Sequence, residues 1–378
     1  MSCTTGPNGA NAVETTTVEP RVTTRALVDP SRKCSLRCAF CYYLPDDDLH
    51  TVQDWESQKE QVLAARRRGA DCCDISGGEP MQNPHVVELV RFCAENGLPP
   101  RIISSLICPE KTLDAVLDAG VDDWLISMHG GDAETHNAIV NVPKARQLQI
   151  RRLSKIAARM RYCANYVMVE KNQTQMADWA RWLTTLDHAP PKVVNFINFN
   201  VFGPWLQSSE WKERGKANIV DLRICGPILD EAIDVLEEAG VGVNVRYYPM
   251  CGLAERHRKN VCNDLHVAFD QGEWDNAFGA TTPIDVVYHM YSLPLSKRNE
   301  EKGEPCNGCS HQWICGGAGK IWHRLALEKF GEERLTQIEL PEGASRRDYW
   351  YYRAANVLGV DPRRQGAFAP SASATHQG

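Results

Sequence analysis

The chain has 378 residues, 43% apolar and 24% charged, with a net charge of −6, the balance of a soluble globular protein. Acidic and basic residues are mixed without a long basic stripe, which disfavours a nucleic-acid substrate, and no run approaches the roughly 18 apolar residues of a membrane span. Fifteen cysteines, with no apolar secretion signal at the N-terminus, point to metal ligation in a reducing, cytoplasmic setting and not to disulfides.

A chain of this length suits a barrel of roughly 200–250 residues with a smaller unit appended. Residues 1–20 and 362–378, polar and poor in large apolar side chains, read as disordered ends. Between them, short β-like runs alternate with amphipathic helical stretches, the pattern of repeated βα units. The predicted strands are Thr24–Asp29, Cys72–Ser76, Arg101–Ser105, Asp123–Met128, Tyr162–Val169 and Lys192–Asn200. The predicted helices are Val52–Arg68, Pro84–Asn96, Pro109–Ala119, Pro143–Met160 and Gln173–Leu186, with stops at Gly69, Gly97 and Gly120. A loop carrying Trp205 and Trp211 leads to a helix over Asp221–Ala239 and a seventh strand-like run over Val241–Tyr247. The expectation is an α/β partial barrel of six βα units over 21–245. A cysteine-rich unit follows over 246–325, then C-terminal helices over 326–361.

Cys34, Cys38 and Cys41 stand in C-x3-C-x2-C spacing just after the first strand. Three thiolates within eight residues can converge on one face of a tight loop, one short of the four that close a [4Fe–4S] cube. Spacing alone leaves a zinc site open as well. Ser76-Gly77-Gly78-Glu79-Pro80 ends the second strand, where glycines let the backbone approach a ligand and a carboxylate can pair with an ammonium group. Ser127 and His129 end the fourth strand, His129 reading equally as a strand-end cap. In parallel barrels functional residues lie at such strand ends and in the loops after them.

A second cysteine group, Cys306-x2-Cys309-x5-Cys315, lies in a glycine-rich run near the C-terminus. Cys251, with Cys262 next, is the expected fourth ligand, and a structural zinc site is the alternative. Cys72, Cys73, Cys93 and Cys163 read as small buried hydrophobes and Cys225 as structural. Trp124, Trp179 and Trp182 read as core. The aromatic run Tyr349–Tyr352 reads as part of a late helix docked on the barrel.

The three-cysteine loop with an aromatic before its third cysteine, followed by the Gly-Gly-Glu-Pro turn, resembles the signature of the radical S-adenosylmethionine (SAM) enzymes. The resemblance implies that Cys34, Cys38 and Cys41 bind a [4Fe–4S] cluster whose open iron takes the amino and carboxylate groups of SAM. An electron from the cluster then yields methionine and a 5′-deoxyadenosyl radical, chemistry that belongs to the cofactor. It further implies that Gly77, Gly78 and Glu79 hold the SAM amino group, Ser127 the ribose or carboxylate, and Phe40 the adenine. Asn165, with Val167, Glu170 and Asn172, would suit ribose hydroxyls, and Asn198 and Asn200 adenine or substrate. Tyr42 and Tyr43 would exclude water. His129 would face the cavity, and Cys108 would donate hydrogen to a substrate radical. The later cysteines resemble a SPASM or Twitch extension, but Gly319 stands where the full pattern has a cysteine, so one auxiliary [4Fe–4S] cluster is expected.

The activity implied is hydrogen abstraction from an organic substrate, fed by a flavodoxin- or ferredoxin-type electron donor. About 25 residues precede the first strand, too few for a folded leader-binding module. A small polar metabolite is therefore expected ahead of a ribosomally made peptide. A SAM-binding iron–sulfur scaffold or electron carrier is the reading from another class.

Overall fold

The protein is described from a computed structural model over residues 25–41, 50–67, 69–199, 208–262, 300–312 and 315–339. Eight parallel strands form one curled sheet: β1 (Arg25–Val28), β2 (Cys72–Ile75), β3 (Pro100–Ser104), β4 (Asp123–Ser127), β5 (Cys163–Met168), β6 (Val193–Asn198), β7 (Gly242–Arg246) and β8 (Val261–Cys262). They neighbour one another in chain order, as successive right-handed crossovers place them. The helices are α1 (Trp55–Arg67), α2 (Val86–Glu95), α3 (Glu110–Asp118), α4 (Ala133–Val140), α5 (Ala145–Ala157), α6 (Met176–Thr184), α7 (Ser209–Asn218) and α8 (Leu222–Glu238).

The period of two along each strand separates the faces. Trp124, Ile126, Tyr166, Phe196, Val243 and Val245 are buried toward the helices. There Tyr166, Trp179 of α6 and Phe196 meet with ring centroids 5.0–5.8 Å apart, an aromatic cluster that adds about 0.5–1.5 kcal/mol per pair beyond area burial. Helix α2 shows the complementary pattern, burying Val86, Leu89, Val90 and Cys93 at i, i+3, i+4, i+7.

The concave face is polar. At its N-terminal end Arg101 lies in register between Asp74 and Asp123, with Arg101 Nε 3.2 Å from Asp74 Oδ1 and Lys192 Nζ 2.6 Å from Asp123 Oδ2. Midway along, Asn165, Asn195 and Asn244 stand side by side on β5, β6 and β7. Asn244 Nδ2 donates to Asn195 Oδ1 and Asn195 Nδ2 to Asn165 Oδ1, both at 2.8 Å. The Cys262 thiol extends this ladder to β8, 3.4 Å from Asn244 Oδ1.

The sheet corrects three expectations. The seventh strand-like run is β7, which joins the sheet after the six expected βα units, and one further strand follows it. The last, β8, is two residues long and pairs parallel with β7, so the sheet continues past residue 245. The chain before it is fastened to α8 through His257, whose Nδ1 and Nε2 lie 2.7 and 2.8 Å from Asp230 and Asp234. The long helix expected over 143–160 begins instead at Ala145, because Lys144 is left-handed with φ 62°. Helix α4 precedes it, capped by the Asp132 carboxylate on Thr135 N at 2.7 Å. The tryptophan-bearing loop yields α7, whose Ser208 hydroxyl accepts from Trp211 N.

The C-terminal unit comprises the antiparallel pair β9 (Glu300–Glu301) and β10 (Ala318–Gly319) and helix α9 (Lys320–Phe330), which crosses the boundary expected at 325. Ion pairs dock it on the barrel: Lys329 with Glu170, Lys212 with Glu328, Arg223 with Glu332 and Arg334 with Asp221. The terminal segments 1–20 and 362–378, the part of the expected C-terminal helices over 340–361, Tyr42, Tyr43, Asn200, Trp205 and Tyr349–Tyr352 lie outside the described residues. Among the described residues no helix is long and apolar enough to cross a membrane.

Candidate functional site

The three-cysteine loop is fixed before and after its first cysteine. Gly78 N donates to Ser31 O at 2.9 Å and Glu79 N to Lys33 O at 2.8 Å, carrying β1–β2 pairing into the loops. Both glycines are required by this approach. A Cβ on Gly77, whose φ is +108°, would stand 2.3 Å from Ser31 O, and one on Gly78 would stand 2.5 Å from the carbonyl oxygens of Arg32 and Lys33. Farther along, Arg37 N and Ala39 N donate to Val140 O and Ile139 O of α4. Arg214 and Asn218 of α7 reach the carbonyls of Cys38 and Ala39, and Leu36 packs on Val140 and Ala145.

The thiols of Cys34, Cys38 and Cys41 are half-buried. Burial pushes Cys34 up to about 12, against the pull of a hydrogen bond from Leu36 N to its sulfur at 3.4 Å. Burial raises Cys38 as well, helped by repulsion from Cys41 and Cys34. Such thiols lose their protons readily only to a cationic metal centre. Among the described residues no three His, Cys, Asp or Glu side chains converge tightly enough for a single ion. Three thiols on one loop are one short of the four that close a [4Fe–4S] cube.

Glu79 is buried and held by its own chain. Oε1 accepts from Met81 N (3.1 Å) and Ser104 Oγ (2.6 Å), and Oε2 from Ser105 N (2.8 Å) and Ser105 Oγ. Burial raises its carboxyl pKa while these donors pull it down. Ser105 O in turn accepts from Gln149 Nε2 at 2.9 Å, and the same nitrogen donates to Ser127 O at 2.7 Å. Gln149, fully buried on α5, thus ties the ends of β3 and β4 to each other and, through Glu79, to the cysteine loop. The spacing of sequence motifs gave no sign of this residue.

His129 is buried beneath Phe40, their rings edge to face at 4.6 Å and 78°. Burial holds its pKa well below the usual imidazole value, with His136 and Arg146 adding to the effect. The ring is therefore neutral, and the N–H of Val167 donating to Nδ1 at 3.1 Å puts its proton on Nε2. His129 thus joins the end of β4 to β5 and to Phe40. Asn172, expected at ribose hydroxyls, instead organises the loop after β5 through bonds to His129 O, Val167 O and Val169 N, and Glu170 pairs with Lys329. Asn165 sits in the amide ladder, where Asn195 and Asn244 went unread although V-N-F and V-N-V carried the alternation. Asn198 donates to Tyr247 O at 3.0 Å and keeps a buried Oδ1 without a partner. Cys108 follows β3 and lines a cleft with Ile107 and Pro109, and burial, with the nearby Glu79 carboxylate adding to it, pushes its thiol up to about 12.

The second cysteine group does assemble. Cys251, Cys306, Cys309 and Cys315 line one cavity with His311 and Lys302. Thr336 N and Ile338 N donate to the sulfurs of Cys251 and Cys309 at 3.4 and 3.5 Å, the N–H···S bonds that tune cluster potentials. Cys262 lies away in β8 on the asparagine ladder, which leaves Cys251 as the fourth member.

The parallel half-barrel with a thiol-bearing loop at the C-terminal ends of its strands places the protein in the α/β class. Residues 28–183 match the family model described as the radical SAM superfamily, and the chain carries a radical SAM domain over that span. It is 31% identical over 121 residues to the PqqA peptide cyclase of Methylorubrum populi, a stretch that is 32% of each chain. The alignment thus spans about a third of the curated relative's length. Among solved structures, Streptococcus suis SuiB bound to S-adenosylmethionine superposes with a TM-score of 0.55 at 15% identity, over 79% of this chain and 73% of SuiB. SuiB bound to its precursor peptide SuiA gives 0.53 at 16% identity, over 83% and 75%. The AdoMet-bound anSMEcpe gives 0.54 at 15% identity, over 90% and 95%. At these identities the structures establish a shared fold.

Proposed function

We propose that the protein is a radical SAM enzyme acting on a peptide substrate at an unactivated C–H bond. The observation that carries the peptide is the similarity to PqqA peptide cyclase within the radical SAM domain. The fold shared with SuiB, a protein solved with a precursor peptide, supports it. The small polar metabolite expected from sequence gives way to this reading.

Cys34, Cys38 and Cys41 hold a [4Fe–4S] cluster in the fixed loop, and Gly77, Gly78, Glu79 and Ser127 position SAM beside it. Phe40, supported by His129, packs against adenine, and Asn165 lines the wall of the barrel. When bound, these cofactors supply a single electron and a 5′-deoxyadenosyl radical. The chain's part is to orient SAM, keep the site dry and present the substrate over the polar concave face. Cys251, Cys306, Cys309 and Cys315 hold one auxiliary cluster, and the thiol-rich composition suits a reducing, cytoplasmic setting.

Anaerobic protein, reconstituted with iron and sulfide and given SAM and dithionite, is expected to form methionine and 5′-deoxyadenosine. Deuterium placed on a candidate peptide is expected to appear in the 5′-deoxyadenosine. Label arriving from small polar metabolites but never from peptides would overturn the substrate, and absence of SAM cleavage would leave only the scaffold reading.

A further inference from the structure

Beyond the ends of β2 and β3 a cleft of about 720 Å³ opens on the outside of the barrel. Its rim includes Lys33 and Ser35, the two residues flanking Cys34, and it runs between α2 and α3 to Arg152 on α5. Gln82 fastens the rim, donating to Ser35 Oγ at 2.7 Å and Ile107 O at 3.0 Å. The cleft therefore ends against the backbone of the cysteine loop itself.

Its charge is one-sided. Lys33, Lys111 and Arg152 line it, and no acidic side chain does among its described lining residues. The nearby acids of α3, Glu110 and Asp114, are both paired with Lys155 at 2.5 and 2.9 Å. This basic patch stands on a chain whose net charge is −6, so it is a local feature and not the tone of the whole surface. Two other sides of the loop are packed. Leu36 is packed under Val140 and Ala145, and α7 closes over Cys38 and Ala39 through Arg214 and Asn218. The cleft thus reaches the two residues that flank Cys34.

We infer that the acidic face of a small one-electron carrier protein docks over this cleft, with Lys33, Lys111 and Arg152 as its contacts. The inference rests on the radical SAM reading, which requires an electron from outside. The carrier loses one electron and the cluster gains it, with no bond or proton exchanged. Opposite charge speeds such an encounter and sets its orientation, and salt weakens it. An exposed lysine on each side of the cleft gives the register that one patch would lack.

The test uses reconstituted holoprotein with reduced flavodoxin as the acidic probe and dithionite as the small reductant. Lys111→Glu is expected to weaken flavodoxin binding at low salt by at least about fivefold, and adding Lys33→Glu to weaken it further. Flavodoxin-driven SAM cleavage falls in parallel, while dithionite-driven cleavage by Lys111→Glu stays within about twofold of the parent. Unchanged flavodoxin affinity overturns the inference. So does an equal loss with both reductants, or a loss confined to binding of the peptide substrate. Wild-type protein that cleaves no SAM with dithionite sinks the radical SAM reading instead, and the flavodoxin titration still decides the docking surface.

Discussion

The three-cysteine loop and the four-cysteine cavity gather their sulfurs on different kinds of scaffold. The loop draws its ligands from eight consecutive residues and is tied to the sheet by main-chain hydrogen bonds and glycine contacts. The cavity gathers Cys251 and, from one ten-residue run, Cys306, Cys309 and Cys315, in a unit whose Trp322, Leu325, Leu335 and Ile338 join the barrel's buried core and whose rim is tied by ion pairs between half-exposed side chains. Such pairs contribute about 0–1 kcal/mol each and weaken with salt. The loop is thus held through its main chain, and the cavity through side chains brought together from two stretches.

The sharpest way to break this comparison is to remove one sulfur set at a time. Replacing Cys34, Cys38 and Cys41 together by alanine is expected to abolish SAM cleavage while the auxiliary cluster's iron remains, read by iron content and electron paramagnetic resonance. Normal cleavage by this variant would refute the assignment.

The rigidity of the loop is tested next by Gly78→Ala. A methyl group 2.5 Å from two backbone carbonyls has no flexible neighbour to yield, so a loss of about 2–3 kcal/mol in local stability is expected. It should appear as incomplete loading of the first cluster with the second intact. Full loading of both would show that the loop gives way more easily than its contacts imply.

Gln149→Leu asks whether the β3–β4 tie matters to SAM. Two hydrogen bonds of about 0.5–1.5 kcal/mol each predict roughly tenfold weaker SAM binding at unchanged cluster content. Gln149→Glu sets a carboxylate against two carbonyl oxygens, so its SAM affinity should recover as pH falls and the acid regains a proton. PH-independent affinity in that variant would deny Gln149 its positioning part.

The smallest effect separates the two regions by pH. Burial lowers His129, and His136 to about 3. The stability of these neutral rings is present above the unfolded imidazole value and is lost as pH falls toward their folded values. His323 of α9 differs. Burial lowers it, but bonds to Glu301 and Glu333 outweigh burial and raise it. Its contribution is complete below the unfolded value and fades as pH rises through the folded one. His323→Gln should therefore lower the melting temperature by a few degrees at pH 6 and less at pH 8. An equal loss at both values would remove the clamp from the docking of the C-terminal unit.

Much of this was legible beforehand. The three-cysteine spacing and the glycine pair were readable because their function is local in sequence, and β1 to β7 because apolar alternation marks a two-faced strand. Helix α4 was missed although Asp132 and Thr135 offer an N-cap signal, since the charged stretch after Pro143 dominated the reading. Strand β8 is too short for any period. Gln149 and the pairing of Asn165 with Asn195 and Asn244 depend on which strands become neighbours, a fact no window of sequence contains. The choice between Cys251 and Cys262 had the same character, a matter of three-dimensional company.

The charged group at the far end of the sheet, Asp74, Arg101, Asp123 and Lys192, closes the half-barrel like a stopper in a flask. The polar end of the sheet is thus charge-neutralised in pairs, two carboxylates against two cations, and the sheet's other end is left for Ser127 and the thiol-bearing loop.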